Sequence, residues 1–156
     1  MKLITKFLMV TTVLLITGCA SVPMESAVSD KARKEFSAPS DGKSGVYIYR
    51  NSSLGGVLKK TLTIDGVIIG ESAPNTYFYK ELLPGSHEVA TESEFSDNKI
   101  VVDFQKGVNY FIQQYIKIGI FVGGAGLRLV SEEEGRKGVL ESKLAHETAN
   151  IGSTVK

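Results

Sequence analysis

The sequence predicts a mainly β protein, an antiparallel β-sandwich followed by a short C-terminal helix. Turn-forming residues recur about every ten residues, which is typical of sandwiches and barrels. Aromatic and β-branched residues dominate between these turns. A parallel α/β sheet would need helices between its strands, and the pattern after Gly45 predicts none there. With 156 residues and 42% hydrophobic residues, the chain is suited to one domain and is not globally disordered.

The N-terminus predicts a bacterial lipoprotein signal peptide over residues 1–18. Lys2 and Lys6 form a short positive region before an uncharged apolar stretch, residues 7–16, that is far shorter than the roughly 20 residues of a transmembrane helix. The following residues, Ile16, Thr17, Gly18 and Cys19, resemble a lipobox: an aliphatic residue, two small residues and a cysteine. The resemblance implies cleavage before Cys19 and lipidation of its thiol. An ordinary secretory signal with a chance cysteine stays the alternative.

The residue after the cysteine bears on location. In lipoproteins of Gram-negative bacteria an Asp there favours the inner membrane, whereas this chain has Ala20, so the resemblance implies an outer-membrane anchor facing the periplasm. Removing residues 1–18 takes away Lys2 and Lys6 and no acid, which lowers the formal charge from +1 to −1. That balance predicts no nucleic-acid partner. We expect membrane contact through the lipid anchor.

Residues 19–43 predict the lipidated cysteine and a flexible tether. The stretch contains Pro23, Pro39, several serines and mixed charges, with few large apolar residues and no clear periodicity. A short helix over residues 26–36 is the competing local interpretation.

The domain itself is predicted over residues 44–147, as strands punctuated by turns. Asp65-Gly66 predicts a type I′ hairpin, because both central positions need positive φ. Pro84-Gly85 predicts a type II turn. The expected strands cover residues 46–49, 57–64, 67–69, 77–79, 86–93, 99–104 and 108–118, with a last strand or hairpin between 120 and 130.

A capping box predicts a helix after the last strand. Ser131 precedes three glutamates, of which Glu134 stands at the position that reaches back to the cap. Gly135 and Gly138 each disfavour a helix by up to about 1 kcal/mol relative to Ala, so we expect this helix to depend on docking to the sheet. Residues 148–156 predict a frayed tail.

Catalytic and metal chemistry find little support in the sequence. Ser is plentiful, but no Gly-x-Ser-x-Gly elbow occurs, and the two histidines are His87 and His146. We therefore predict no enzyme and no cofactor. The alternative is an envelope-acting hydrolase or transferase that uses His87 as its base. Glu88, Glu92 and Glu94 alternate, which could make a weak cation patch, but a solvated sheet face is the favoured interpretation and no metal site is predicted.

Two features are candidate partner-facing surfaces. The glycines Gly123, Gly124 and Gly126 predict a loop between strands, flanked by the apolar residues Ile118, Ile120 and Phe121. The pairs Tyr47/Tyr49 and Tyr77/Tyr79 each place two rings on one face of a strand. An exposed face would be an aromatic platform for a peptide or glycan, and a buried one would be core, which is favoured.

These motifs together resemble a family of bacterial lipoproteins of unknown function, domain of unknown function 2846. The resemblance rests on four segments: Ser44-Gly45-Val46-Tyr47-Ile48-Tyr49-Arg50, Ile64-Asp65-Gly66-x-x-Ile69-Gly70, Tyr77-x-Tyr79-x-x-Leu82-x-Pro84-Gly85-x-His87 and Gly107-x-x-Tyr110-Phe111. The turns also look like the PEGA type of small, immunoglobulin-like β-sandwich. The family implies a fold and a location but no catalytic residues.

The sequence therefore favours a membrane-anchored, non-enzymatic binding or assembly accessory of the cell envelope. Exposed sheet edges or the glycine loop would meet an envelope protein or glycan. A passive structural spacer is a further alternative, and the oligomeric state stays open.

Overall fold

The computed structural model describes residues 20–92, 98–117 and 123–148. Within these ranges the chain forms two packed sheets, with one helix before the first strand and one after the eighth. The strands are β1 Ser44–Arg50, β2 Lys60–Ile64, β3 Val67–Ser72, β4 Thr76–Leu82, β5 Gly85–Thr91, β6 Asn98–Phe104, β7 Asn109–Lys117, β8 Gly124–Val130 and β9 Lys143–Leu144. The helices are α1 Ala27–Arg33 and α2 Glu132–Leu140.

The sheets confirm the predicted mainly β fold with a short C-terminal helix. One sheet has the strand order β8-β7-β1-β4-β9 and the other β3-β2-β5-β6. β1 runs antiparallel to β4 but parallel to β7, and β9 runs parallel to β4. The five-stranded sheet is therefore mixed, whereas the sequence predicted an antiparallel sandwich. Its central parallel pair needs no crossover helix, because β5 and β6 carry the chain through the other sheet before β7 begins.

The core between the sheets is mainly aliphatic. Its buried members are Val46, Ile48, Leu62, Ile64, Ile69, Phe78, Val89, Val102, Phe104, Ile112, Leu127 and Ala145. Gln114 of β7 crosses this core: its Nε2 donates to Thr91 Oγ1 at 2.6 Å, and its Oε1 accepts from Ser72 Oγ. Since buried polar groups are costly unless bonded, this bridge ties β7 to both β3 and β5.

The opposite face of the five-stranded sheet carries a second, aromatic layer. Tyr47 pairs with Tyr79 across β1 and β4, and Tyr49 pairs with Tyr77. The Tyr47 ring stacks on Phe111 of β7 with centroids 5.0 Å apart. Both helices cover this face, so β1 is buried on both sides and all its residues are buried.

The tether predicted for residues 19–43 is wrong over its described part, residues 20–43. The alternative helix is present instead: Ser26 caps α1 by accepting from the Ser29 N–H at 3.1 Å. Before it, the Pro23 carbonyl accepts from the His146 N–H at 2.9 Å. After it, Phe36 is only 9% exposed and packs on the aromatic layer. Few apolar residues suffice here because the sheet supplies the surface against which they are buried.

The predicted C-terminal helix is confirmed as α2. Ser131 Oγ accepts from the Glu134 N–H at 3.2 Å. Gly135 and Gly138 face the aromatic layer, where an added Cβ would lie 2.1 Å from Phe111 Cβ and 2.0 Å from Tyr49 Cε2, respectively. The two glycines therefore permit close contact between helix and sheet.

The chain continues past the helix along the side of the sandwich. Ala145 donates its N–H to the Tyr77 carbonyl at 2.8 Å, and Thr148 donates to the Ile69 carbonyl at 2.9 Å. Residue 148, at the start of the predicted frayed tail, thus contacts β3. Residues 149–156 lie outside the described part of the chain.

The sandwich has two ends with different loops. Ala20, the β1–β2 loop (residues 51–59) and the β3–β4 turn (residues 73–75) lie at what we call the Ala20 end. Asp65-Gly66 and Leu83-Pro84 lie at what we call the turn end. The strand registers place Arg50 opposite Thr76 and Lys60 opposite Ser72 at the Ala20 end, and Ser44 opposite Leu82 and Ile64 opposite Val67 at the turn end.

Candidate functional site

The predicted lipidation site lies outside the described residues, since Ile16, Thr17, Gly18 and Cys19 precede the first described residue. Ala20 follows directly and is already part of the fold: its N–H donates to the Gly56 carbonyl at 2.9 Å. Over the described chain, none of the helices combines the length and apolarity needed to span a bilayer.

The four tyrosine rings are not exposed, so the prediction that they contact a partner is wrong. Tyr47, Tyr49 and Tyr77 are at most 1% exposed and Tyr79 is 8% exposed. The hydroxyls of Tyr47 and Tyr77 donate to the carbonyls of Arg33 and Asp30 in α1, at 2.9 and 3.3 Å. The favoured alternative, core residues with hydroxyls at the rim, is confirmed for these two, because α1 supplies the carbonyls that satisfy them.

The prediction of a partner-facing glycine loop is wrong for Gly124 and Gly126, which lie in a strand instead. Gly124 and Gly126 belong to β8, pair with Lys117 and Tyr115 of β7, and are buried. An added Cβ at Gly126 would lie 2.6 Å from the Tyr115 ring, so this glycine allows the ring to cover the strand. Gly123 is half-buried and precedes the strand. Ile118, Ile120 and Phe121 lie outside the described residues.

His87 joins the two turns of the turn end. Its Nδ1 lies 2.5 Å from Asp65 Oδ2, and its Nε2 lies 2.9 Å from the Leu83 carbonyl. Asp65 Oδ1 accepts from the Glu88 N–H at 2.9 Å. Asp65 and Gly66 have φ of 51° and 76°, which confirms the predicted I′ hairpin geometry. One imidazole and one carboxylate thus hold the β2–β3 hairpin turn to the β4–β5 connection between the two sheets.

The charges of this pair support each other. The hydrogen bond to Asp65 raises the pKa of His87 above its ordinary 6.5, and the same bond lowers the pKa of Asp65 below 3.8. The His87 contribution to stability is therefore present below pH 6.5 and lost as the pH rises through the raised pKa. The Asp65 contribution is present above pH 3.8 and lost as the pH falls through the lowered pKa.

This arrangement gives His87 a structural task. Both ring nitrogens face oxygen acceptors, so both bonds are made only by the protonated imidazolium, which donates twice. A general base needs a nitrogen lone pair directed at a substrate. His87 offers none in this geometry.

A groove of about 470 Å³ opens beside β3, and we call it the β3 groove. It is lined by Ile64, Asp65, Val67, Ile68, Ile69, Lys80, Leu82, Glu147 and Thr148. Val67 and Ile68 are 47% and 50% exposed. Among the described strands β3 is one of the two edge strands of its sheet, and on its outward side the Ile69 carbonyl accepts from the Thr148 N–H rather than from another strand.

The β3 groove combines an apolar floor with a polar rim. Lys80 Nζ lies 2.5 Å from Glu147 Oε2, which links β4 to the segment after β9. Asp65 stands at the turn end of the groove, beside the His87 pair. Apolar surface next to the edge of a sheet is what an extended peptide requires, since backbone hydrogen bonds supply affinity and alternate side chains fill the apolar surface.

Sequence reasoning missed Arg50 as a structural centre. Its side chain is fully buried, and no carboxylate among the described residues pairs with it. Nη1 donates to the Leu58 carbonyl at 2.8 Å, and Nη2 donates to the carbonyls of Leu54 and Gly55, both at 2.9 Å. Burial lowers the pKa of Arg50. A charged residue at the end of an apolar strand and before a glycine-containing loop is the signal that could have revealed these bonds to the loop.

The described acidic residues do not gather into a metal site: no group of three or more His, Cys, Asp or Glu there could hold an ion. Glu88 pairs with Lys99 at 3.0 Å, and Glu92 accepts from Thr61 Oγ1 at 2.5 Å. Glu94 lies outside the described residues.

Comparison with known proteins gives two matches. The model of a family described as "Protein of unknown function (DUF2846)" matches residues 40–125. An uncharacterized protein of Haemophilus influenzae is 50% identical over 132 residues, which cover 85% of this chain and 79% of that protein. No solved structure gives a significant match. The matched family range contains β1 to β7, and with them the Asp65–His87 pair and Arg50.

Proposed function

The chain belongs to the family of proteins of unknown function DUF2846, and from that premise we propose that it is a lipid-anchored accessory protein of the bacterial outer membrane. It faces the periplasm, carries its lipid on Cys19 and binds without catalysing a reaction. Its partner is an extended segment of another envelope protein, which adds to the edge of β3 in the β3 groove.

The anchor is supported by the lipobox and by the placement of the chain's single cysteine within it. Replacing Cys19 by Ser removes the thiol that receives the lipid. We expect Cys19→Ser to move the protein from the outer-membrane fraction to another fraction and to abolish the lipid mass increment of the native chain. Recovery of the variant in the outer membrane would contradict the anchor.

The β3 groove is the observation that carries the binding proposal. Val67 and Ile68 leave apolar surface exposed beside an outermost strand, and the Ile69 carbonyl already accepts a bond from a non-strand segment at Thr148. Natural edge strands are normally protected by charge, proline or cover. An apolar edge that lacks charged side chains at its first two positions is suited to a partner strand.

The hydrogen bonds of His87 support the non-enzymatic role that we propose. Action as a base would require the imidazole to give up its bond to Asp65 or to the Leu83 carbonyl. No observation favours the hydrolase alternative over a binding role. A passive spacer would need a flexible tether, and the described chain is instead packed on the domain from Ala20 onwards, which disfavours this alternative.

A photoreactive amino acid placed on each edge strand of the four-stranded sheet tests the site in living cells. Ile68 on β3 and Val101 on β6 are 50% and 65% exposed, so they form a matched pair on opposite edges. We expect a discrete covalent adduct from position 68 and none from position 101. The adduct should disappear when Val67 is replaced by Asp, which puts a charge on the apolar surface.

Identical adducts from both positions, or none from position 68, would contradict binding at β3. Retention of the adduct in the Val67→Asp variant would show that the apolar surface does not bind the partner. The Cys19→Ser experiment is independent of these outcomes, so the anchor and the binding site can fail separately.

A further inference from the structure

The first described residue fixes where a lipid on Cys19 would leave the protein; this step rests on the proposed lipidation. The Ala20 N–H is bonded to the Gly56 carbonyl at 2.9 Å. Consecutive Cα atoms are about 3.8 Å apart, so residue 19 cannot lie far from this bond. A lipid on Cys19 would therefore be attached one residue before the bond that joins Ala20 to the β1–β2 loop.

The β1–β2 loop presents apolar side chains at this point. Leu54 is 52% exposed and Val57 is 72% exposed, on either side of Gly56. Exposed apolar surface of this kind is disfavoured in water and favoured at the boundary between lipid headgroups and acyl chains. The loop thus offers the bilayer two side chains within a few residues of the anchor.

The buried side chain of Arg50, at the end of β1, holds the conformation of this loop. The guanidinium donates to the carbonyls of Leu54, Gly55 and Leu58, which surround the two exposed side chains. A preformed loop loses little conformational freedom when its side chains enter the interface. Burying a guanidinium costs desolvation free energy, and here that cost is met by bonds to three carbonyls of one surface loop.

We propose that the Ala20 end rests on the bilayer, with Leu54 and Val57 inserted into the leaflet that holds the Cys19 lipid. The anchor keeps the loop at the surface at high effective concentration, so even weak insertion is sustained. Because the processed chain carries a formal charge of −1, attraction to anionic lipid does not drive the contact. The turn end, with the Asp65–His87 pair, then points into the periplasm.

Depth-dependent fluorescence quenching tests this orientation on the full lipidated chain. Once Cys19 carries lipid, a cysteine introduced elsewhere is the only free thiol, since the sequence contains one cysteine. Val57→Cys labels the Ala20 end, and Leu83→Cys labels the turn end; the native residues are 72% and 62% exposed. Each protein, carrying a fluorophore, is reconstituted into phosphatidylethanolamine–phosphatidylglycerol vesicles with or without brominated acyl chains.

We expect brominated lipid to cause a clear loss of fluorescence at position 57 and no loss at position 83, at low and at high salt alike. Equal fluorescence in both vesicles at position 57, or quenching at position 83 as strong as at 57, would overturn the orientation. If Val57→Cys disturbs the fold by circular dichroism, Leu54→Cys takes its place with the same expectation.

The intact mass of each protein separates this inference from the proposed function. A chain without the lipid increment contradicts the anchor and the orientation together. A lipidated, vesicle-bound chain whose label at position 57 is not quenched contradicts the orientation alone.

Discussion

The two faces of the five-stranded sheet are filled in different ways. The inner face packs aliphatic side chains against the second sheet, so both partners in the contact are strands. The outer face carries four tyrosines and Phe111, and its cover comes from the two ends of the described chain, α1 with Phe36 and α2 with Val139. The inner layer joins the two sheets of the sandwich, while the outer layer joins the sandwich to the helical segments before β1 and after β8.

The outer layer also depends on polar contacts that the inner layer mostly lacks. Arg33 of α1 places its guanidinium 4.1 Å from the centre of the Tyr79 ring. Asp30 accepts from the Leu144 N–H at 2.9 Å and from Lys34 Nζ at 2.9 Å. These contacts fix α1 in place with little aliphatic burial. Terminal segments of mixed composition can therefore fold when the sheet offers aromatic rings and carbonyl acceptors.

Removing one phenylalanine from each layer gives the largest expected effects. We expect Phe104→Ala to lower the free energy of unfolding by about 4 kcal/mol, because its ring is buried in the inner layer. Phe36→Ala should cost less, about 2–3 kcal/mol, because the terminal segment can detach and relieve the cavity. Urea denaturation measures both.

Hydrogen exchange distinguishes detachment from a general loss of stability. In Phe36→Ala the amides of α1 should exchange faster than those of β1, whereas Phe104→Ala should accelerate both together. Equal acceleration of α1 and β1 in Phe36→Ala would show that the outer layer unfolds only with the whole domain.

A methyl group at Gly138 tests how closely α2 approaches the sheet. The added Cβ would lie 2.0 Å from Tyr49 Cε2, and Tyr49 is only 1% exposed and has little room to move. We expect Gly138→Ala to lower the free energy of unfolding by about 2 kcal/mol, although Ala favours a helix by about 1 kcal/mol. Thermal or urea denaturation provides the measurement.

Lys137→Ala is the matched control for this substitution. It lies on the exposed side of the same helix, and we expect a change within about 0.5 kcal/mol. A neutral or stabilising Gly138→Ala would mean that helix and sheet separate easily, and that the outer layer is loosely packed.

The fold was predictable where local signals decide it. Asp65-Gly66 requires positive φ, and the Ser131 hydroxyl caps the helix by accepting from the Glu134 N–H, so both were found from neighbouring residues alone. The tyrosine pairs were ambiguous, because alternation places two rings on one face without saying whether that face is covered. The cover, α1, comes from a segment whose composition is typical of a linker.

The candidate sites differ in the same way. The predicted lipobox is a linear motif of four consecutive residues, so it could be proposed from the sequence alone. The β3 groove depends on β3 being outermost in its sheet and on Thr148 reaching it, neither of which any local pattern contains. The sequence singled out His87 but could not show its hydrogen bonds, since its partners Asp65 and Leu83 belong to two different turns.

Alkaline pH should weaken the outer layer selectively. Burial raises the pKa of Tyr47 to about 12 and that of Tyr49 to about 12, from an ordinary value of 10.0. The neutral rings stabilise the fold fully below pH 10, and this contribution is lost as the pH rises from 10 towards 12. At pH 11 we expect a loss of roughly 2 kcal/mol from the free energy of unfolding, measured by urea denaturation across this range.

The Tyr49→Phe variant is the control for this pH dependence. It removes one titrating hydroxyl and leaves the ring, so the loss between pH 9 and 11 should be smaller than in the native protein. An unchanged slope would mean that Tyr49 does not contribute to alkaline destabilisation.

The smallest effect compares two hydroxyls within the outer layer. Tyr47 donates to the Arg33 carbonyl, whereas the buried Tyr49 hydroxyl has no hydrogen-bond partner among the described residues. At neutral pH, Tyr47→Phe should lower the free energy of unfolding by about 1 kcal/mol and expose α1 to faster exchange, because the carbonyl loses its donor. Tyr49→Phe should be neutral or slightly stabilising, since it removes an unsatisfied polar group. Equal costs for both substitutions would show that the bond to α1 contributes nothing specific, and that ring packing alone holds the terminal helix on the sheet.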